Sequence, residues 1–166
     1  LRITGADRGP SFYINWDTPK ANLREAFRNT NVRIAMSHAI NREEINQIVY
    51  HGLLEPAGYS FGRANPYFKE EASHKYSTYD PEKSKQILDE AGYRDTDGDG
   101  WREFKDGVRF EFNIDVIPGE GVDVSELASE HWRAIGIKAN LNISLRDIIW
   151  PRRLNGEFDI HQWGQE

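Results

Sequence analysis

The amino-acid sequence predicts one α/β lobe over residues 1–166, with a mixed β-sheet flanked by helices. Two observations carry this. Short segments of alternating hydrophobicity take turns with segments whose apolar residues recur at helical spacing, the order from which layered α/β folds are built. The composition also suffices for one sizeable core: 38% of the residues are hydrophobic and 29% charged, with five Trp, seven Tyr and eight Phe, which excludes a disordered chain.

Taken in order, Phe12, Ile14 and Trp16 alternate with Tyr13 and Asn15, predicting a mostly buried core strand between Ser11 and Asp17. After a polar connector, Val32, Ala35, Met36, Ala39 and Ile40 repeat at helical spacing. Asn41 followed three residues later by Glu44 restarts the pattern as a capping box, and a second helix runs over Ile45, Ile48 and Val49 to Gly52. Residues 53–78 lack a period and are rich in Gly, Pro, Ser and aromatics, which predicts a long ordered connector packed down by Tyr59, Phe61, Tyr67 and Phe68. Asp80-Pro81-Glu82 then supplies an N-cap acceptor with Pro in the first turn, and Gly92 ends that helix.

Lys105-Asp106-Gly107 separates two alternating segments, 101–104 and 108–112, and predicts a β-hairpin whose second strand continues toward Val116. Val124, Leu127, Ala128, Trp132 and Ile135 give the next helix, closed by Gly136. Ile137, Ala139, Leu141 and Ile143 alternate strictly with polar residues, the cleanest strand pattern in the chain. A helix interrupted or started by Pro151 follows, and 158–163 reads as a last strand.

Several function classes are excluded. The net charge of −6, with basic residues interleaved among acids, offers no nucleic-acid surface. No run of about 18 apolar residues could span a membrane. Zero cysteines exclude disulfides and thiolate metal sites. His38, His51, His74, His131 and His161 fall on different predicted elements without ligand spacing, and neither a phosphate-cradling Gly loop nor a GxSxG elbow appears. No catalytic residue is therefore predicted, and the first reading is not an enzyme. Because the amino terminus lacks both a start methionine and an apolar leader, the expectation is a processed or excised piece of a larger protein.

Two places could hold chemistry. The loop 95–103 carries Asp95, Asp97, Asp99 and Glu103 with Gly100 at its sixth position and Asp106 at its twelfth, an oxygen spacing suited to calcium. An EF-hand needs a helix after the loop, whereas a hairpin is predicted here, so a solvated Gly-rich turn built on Asx hydrogen bonds is the other reading. The second place is Trp163 and Glu166 at the carboxyl end of the last strand, where open α/β sheets bind ligands. The alternative there is that Trp163 fills the core and Glu166 ends the chain.

The stretch 31–45, with Val32-Arg33, Ala35, Ser37, Ala39-Ile40 and Arg42, resembles the "VRxAxSxAIDRxxI" helix pair of the family-5 solute-binding proteins of ABC importers. Tyr79-Asp80-Pro81-Glu82-Lys83 with Ala91-Gly92-Tyr93 is similar to that family's "YDPEKAKxLLxEAGY" helix, and Asp97-Gly98-Asp99-Gly100 with Arg102-Glu103 to its "DGDGxRE" loop. Ile135-Gly136-Ile137 and Gly156-Glu157-Phe158-Asp159 are similar to its "IGI" and "GDFD" segments, in the family's order.

The resemblance implies a periplasmic-binding-protein-like lobe of type II, one half of a clamshell that closes over solute and presents it to ABC permease subunits. It implies a location at the periplasmic or extracellular face of the cytoplasmic membrane, with membrane association only through a lipid anchor outside this segment. In peptide-binding members a "WxxD" motif follows the last strand, its Trp lining the pocket and its Asp meeting the peptide amino group. Trp163 and Glu166 match it, with Glu replacing Asp. The implied solute is an oligopeptide, or an oligosaccharide as in other members, and no cofactor beyond calcium is expected. From other classes, a hydrolase lobe completed by residues elsewhere and a calcium-stabilised structural module remain as alternatives.

Overall fold

The computed structural model describes residues 10–58, 65–119 and 121–164. The elements are β1 (Ser11–Ile14), α1 (Ala21–Arg28), α2 (Thr30–Ala39), α3 (Arg42–Tyr50), α4 (Glu70–Ser73), α5 (Pro81–Glu90), β2 (Glu111–Val116), α6 (Val122–Ala134), β3 (Lys138–Ile143), α7 (Arg146–Leu154) and β4 (Ile160–Trp163). The strands form one mixed sheet in the order β1-β4-β2-β3. β2 runs parallel to β3 and to β4, and β1 pairs antiparallel with β4. The expected α/β lobe is what the chain forms.

Register assigns the faces, because residues paired across neighbouring strands point to the same side. Ile114 pairs with both Leu141 and Ile160, Phe112 with Ala139, and Ile14 with Ile160. This apolar face is covered by α1, α2 and α6. Trp132 of α6 meets Phe12 and Phe112 edge to face, with ring centroids 5.2 and 5.4 Å apart, and Phe27 of α1 meets Phe112 at 5.9 Å. The Trp132 indole N–H donates to the Met36 carbonyl at 3.0 Å, so its one polar atom is satisfied within the core. On α5, the Asp80 carboxylate accepts from the Lys83 N–H at 2.9 Å, as its N-cap position predicts. Ser84 Oγ donates to the Ala35 carbonyl at 2.8 Å and brings α5 close against α2.

Four expectations change. The predicted core strand β1 is a half-buried edge strand with β4 as its single neighbour, and Trp16 lies beyond its end, 52% exposed under the Arg33 guanidinium. The polar connector after it contains α1, whose apolar residues Leu23, Ala26 and Phe27 are few but all buried. In the long connector Tyr67 is 73% exposed and packs nothing down, while Tyr59 and Phe61 lie outside the described residues. The hairpin is rudimentary: Phe104 N–H donates to Val108 at 2.7 Å and Glu103 bridges to Arg109, but only the second arm extends, as β2. Pro151 sits inside α7 rather than at its start. Among the described residues no helix is long and apolar enough to cross a membrane.

Candidate functional site

β4 lies inside the sheet between β1 and β2, and its carboxyl end lies at the same edge as those of β2 and β3. Trp163 is the last residue of β4 and is half-buried. Its register partner is Ser11, and it points to the side of Tyr13 and His161, opposite the apolar core. The reading of Trp163 as core filling therefore does not hold. Glu166 lies outside the described residues.

The face that Trp163 shares is polar. Tyr13, His161, Asp115 and Asn142 form one row across all four strands. α7 lies over this face, burying Ile149 and placing Arg152 near Asp115. The Trp150 ring of α7 meets Trp163 with centroids 5.4 Å apart, and His161 stacks on Trp163 at 5.8 Å and 27°. Two guanidiniums complete the group. Arg146 lies 4.9 Å from the Trp163 centroid, and Arg153 lies 5.4, 5.1 and 5.7 Å from those of Tyr13, Trp150 and Trp163.

Electrostatics in this row are set by burial. His161 is fully buried, and burial, reinforced by the Arg153 charge, lowers its pKa to about 4, so the ring is neutral near pH 7. Burial raises the Asp115 pKa, against the opposing pull of the 2.7 Å hydrogen bond from Asn142 and the Arg152 charge. Among the described residues, Asp115 Oδ2, Arg153 Nη1 and both ring nitrogens of His161 are buried without a hydrogen-bond partner. Each such atom costs on the order of 1–3 kcal/mol, so their gathering on one face marks a region built for something other than packing.

In the acidic loop, oxygens of Asp95, Asp97, Asp99 and Glu103 lie within 4.8 Å of one another. They are engaged already. Asp95 accepts from the N–H groups of Gly98 and Gly100 at 2.7 and 2.9 Å, Asp97 from Asp99 and Asp99 from Trp101. Buried Glu103 accepts from the backbone and hydroxyl of Thr96, and Asp99 is paired with Arg109. The backbone N–H of Trp101 is the main reason the Asp99 carboxyl lies below its usual range. Asp106 turns away to Asn22 at 2.7 Å. A cation entering here would compete with Arg109 for Asp99.

Residues 4–165 match the family of bacterial extracellular solute-binding proteins, family 5. The chain belongs to this family. It is 32% identical over 133 residues to the oligopeptide-binding protein AppA of Bacillus subtilis, an alignment covering 79% of this chain and 24% of AppA. Among solved structures, an oligopeptide-binding protein OppA superposes with a TM-score of 0.90 at 34% identity, covering 94% of this chain and 25% of OppA. Bacillus subtilis AppA in complex with a nonapeptide gives 0.78 at 29%, covering 95% and 31%. A mannohexaose-bound periplasmic oligopeptide-binding protein from Thermotoga maritima gives 0.75 at 27%, covering 94% and 29%. The chain thus spans about a quarter of the length of the relatives it matches.

For this family-5 chain the polar row was the part missing from the sequence reading. Arg146, Trp150, Arg153 and Tyr13 come to Trp163 from β1 and α7, and only strand order brings them there. One signal was available: His161 and Trp163 sit one apart on a strand whose other positions, Ile160 and Gln162, are buried, so both faces of β4 had to be covered.

Proposed function

We propose that this chain contributes one wall of the solute site in the binding component of an ABC importer, and that the solute is an oligopeptide. Trp163 carries the reading: it stands half-exposed at the carboxyl edge of an inner strand, on the polar face and outside the core. The names of the relatives support peptide over other solutes. Capture occurs outside the cytoplasmic membrane, and closure of the clamshell gains its energy from the higher affinity of the closed state. Permease subunits then receive the solute, and the protein binds rather than transforms it. Glu166 would meet the peptide amino group.

A second reading, oligosaccharide capture, is favoured by one observation. Trp150 and Tyr13 present aromatic rings beside Trp163, at 36% and 41% exposure, and sugar faces stack on such rings.

Intrinsic tryptophan fluorescence of the full-length protein, titrated with an oligopeptide pool and separately with oligosaccharides, tests both. Peptide should shift the emission, and Trp163→Ala should weaken binding at least tenfold. Undiminished affinity in that variant would remove Trp163 from the site. A response to sugars alone would reverse the choice of solute.

A further inference from the structure

Arg153 is a cation held by aromatic rings. Its guanidinium lies against Tyr13, Trp150 and Trp163, and no carboxylate pairs with it among the described residues. Its neighbour Arg152 differs, reaching Asp115 at 3.5 Å and donating to the Glu157 carbonyl at 3.0 Å. Arg153 Nη1 is buried with an unused donor, while the rings beside it at Tyr13 and Trp150 open to solvent. Stacking on rings fixes the plane of a guanidinium and leaves its edge free, which is how an arginine is readied for a planar anion.

The surroundings keep that charge effective. His161, beneath Trp163, is neutral near pH 7 and adds no competing cation. Asp115, the nearest buried carboxylate of the row, is turned to Asn142 and Arg152. The second guanidinium at Trp163, that of Arg146, adds to the positive potential. Desolvation by three aromatic rings strengthens any charge-assisted bond formed there.

We propose that Arg153 is a specificity-determining residue that recognises a carboxylate on the solute, so that the pocket beside Trp163 selects anionic members of its solute class. This rests on the reading of the chain as part of a solute-binding protein. In a peptide the group is the terminal carboxylate or an acidic side chain, and both present the same planar pair of oxygens to the guanidinium edge.

The test uses the full-length protein and isothermal titration. The probes are a pentapeptide library with uncharged side chains as free acids, the same library C-terminally amidated, and an amidated library carrying one Glu. A neutral hexasaccharide and a hexauronate of similar length run in parallel. Wild type should bind carboxylate-bearing probes at least about tenfold more tightly than their neutral counterparts. Arg153→Gln should erase that ratio, and Arg153→Lys should keep part of it. The two peptide arms tell terminal from side-chain recognition. A general loss of stability would weaken all probes alike, so the ratio stays diagnostic. Equal binding of charged and neutral probes by wild type, or a ratio unchanged in Arg153→Gln, overturns the inference and leaves peptide capture standing. Binding of the hexauronate alone, lost in Arg153→Gln, overturns peptide capture and supports the inference. Binding of no probe overturns both.

Discussion

His161 lies beside Asp115 as its partner in the parallel register of β4 and β2, and the two are among the most deeply buried polar residues described. Neither imidazole nitrogen has a partner, and one Asp115 oxygen has none, so the pair faces each other without a direct hydrogen bond. Two groups on one face are thus held in their neutral-leaning forms by burial.

From His161 follows a pH dependence with a definite sign. The unfolded imidazole titrates near 6.5 and the folded one near 4, so between these values only the unfolded chain takes up the proton. Stability is full above about pH 6.5, falls as pH is lowered toward 4, and loses nothing further to His161 below that. The loss is at most about 3 kcal/mol. Asp115 acts in the opposite sense, since its raised pKa gives a contribution present below the unfolded value and lost as pH rises through the folded one. The measurement is therefore a difference: urea unfolding of wild type and His161→Phe at pH 7, 5.5 and 4.5. The advantage of wild type over the variant should shrink with acid, and parallel curves would show that His161 does not titrate on unfolding.

Asp159 ties the start of β4 to two other elements. Its Oδ2 accepts from the Lys20 ammonium at 2.6 Å and from the Asn113 N–H at 3.0 Å, and the residue is 5% exposed. Asn15 pins the same turn, its side-chain amide donating to the Gly156 and Phe158 carbonyls, both at 2.8 Å. Asp159→Ala should cost about 2–3 kcal/mol, because it strands an N–H in the sheet as well as removing an ion pair. Lys20→Ala removes only the half-exposed cation and should cost under about 1 kcal/mol. Chemical denaturation of both variants checks the ordering, which fails if the two losses are equal.

Much of the fold was legible because its local rules are independent of tertiary structure. Asp80 caps α5 as the sequence implies, and Ile137, Ala139 and Leu141 face one side of β3. What was illegible depends on pairing. Phe12 and Ile14 would suit a central strand equally well, and only the sheet order makes β1 an edge. α1 offers just Leu23, Ala26 and Phe27 among polar residues, too short a period to separate from a loop. The aromatic and guanidinium group around Trp163 joins residues from 13 to 163, a distance no spacing pattern reports.

Gly136 closes α6 at a φ of +85°, and a Cβ there would lie 3.1 Å from Arg102 Cγ. Arg102 is itself buried, its Nε donating to the Ile135 carbonyl at 2.7 Å. Gly136→Ala should destabilise by about 1–2 kcal/mol from the left-handed backbone alone. The Arg102 stem adds to this, since its head is anchored and cannot swing aside. Gly92→Ala provides the control: its φ is +88° with no atom within 4 Å, so it should show the backbone cost without the contact. Equal losses in the two variants would mean that the Arg102 stem yields freely.

The acidic loop separates two behaviours toward calcium. Asp95 accepts two backbone N–H groups and Asp99 is held by Arg109, so the loop is closed by the chain's own donors. Asp95→Ala should cost about 0.5–1.5 kcal/mol, typical for hydrogen bonds in an exposed turn. Millimolar calcium should leave the melting temperature of wild type unchanged, because Arg109 already satisfies the outermost carboxylate and repels a second cation. Arg109→Ala releases Asp99 and removes that repulsion while the four oxygens stay within 4.8 Å. A calcium-dependent rise in melting temperature is then expected in the variant only, and a rise in wild type would show that the cation displaces Arg109.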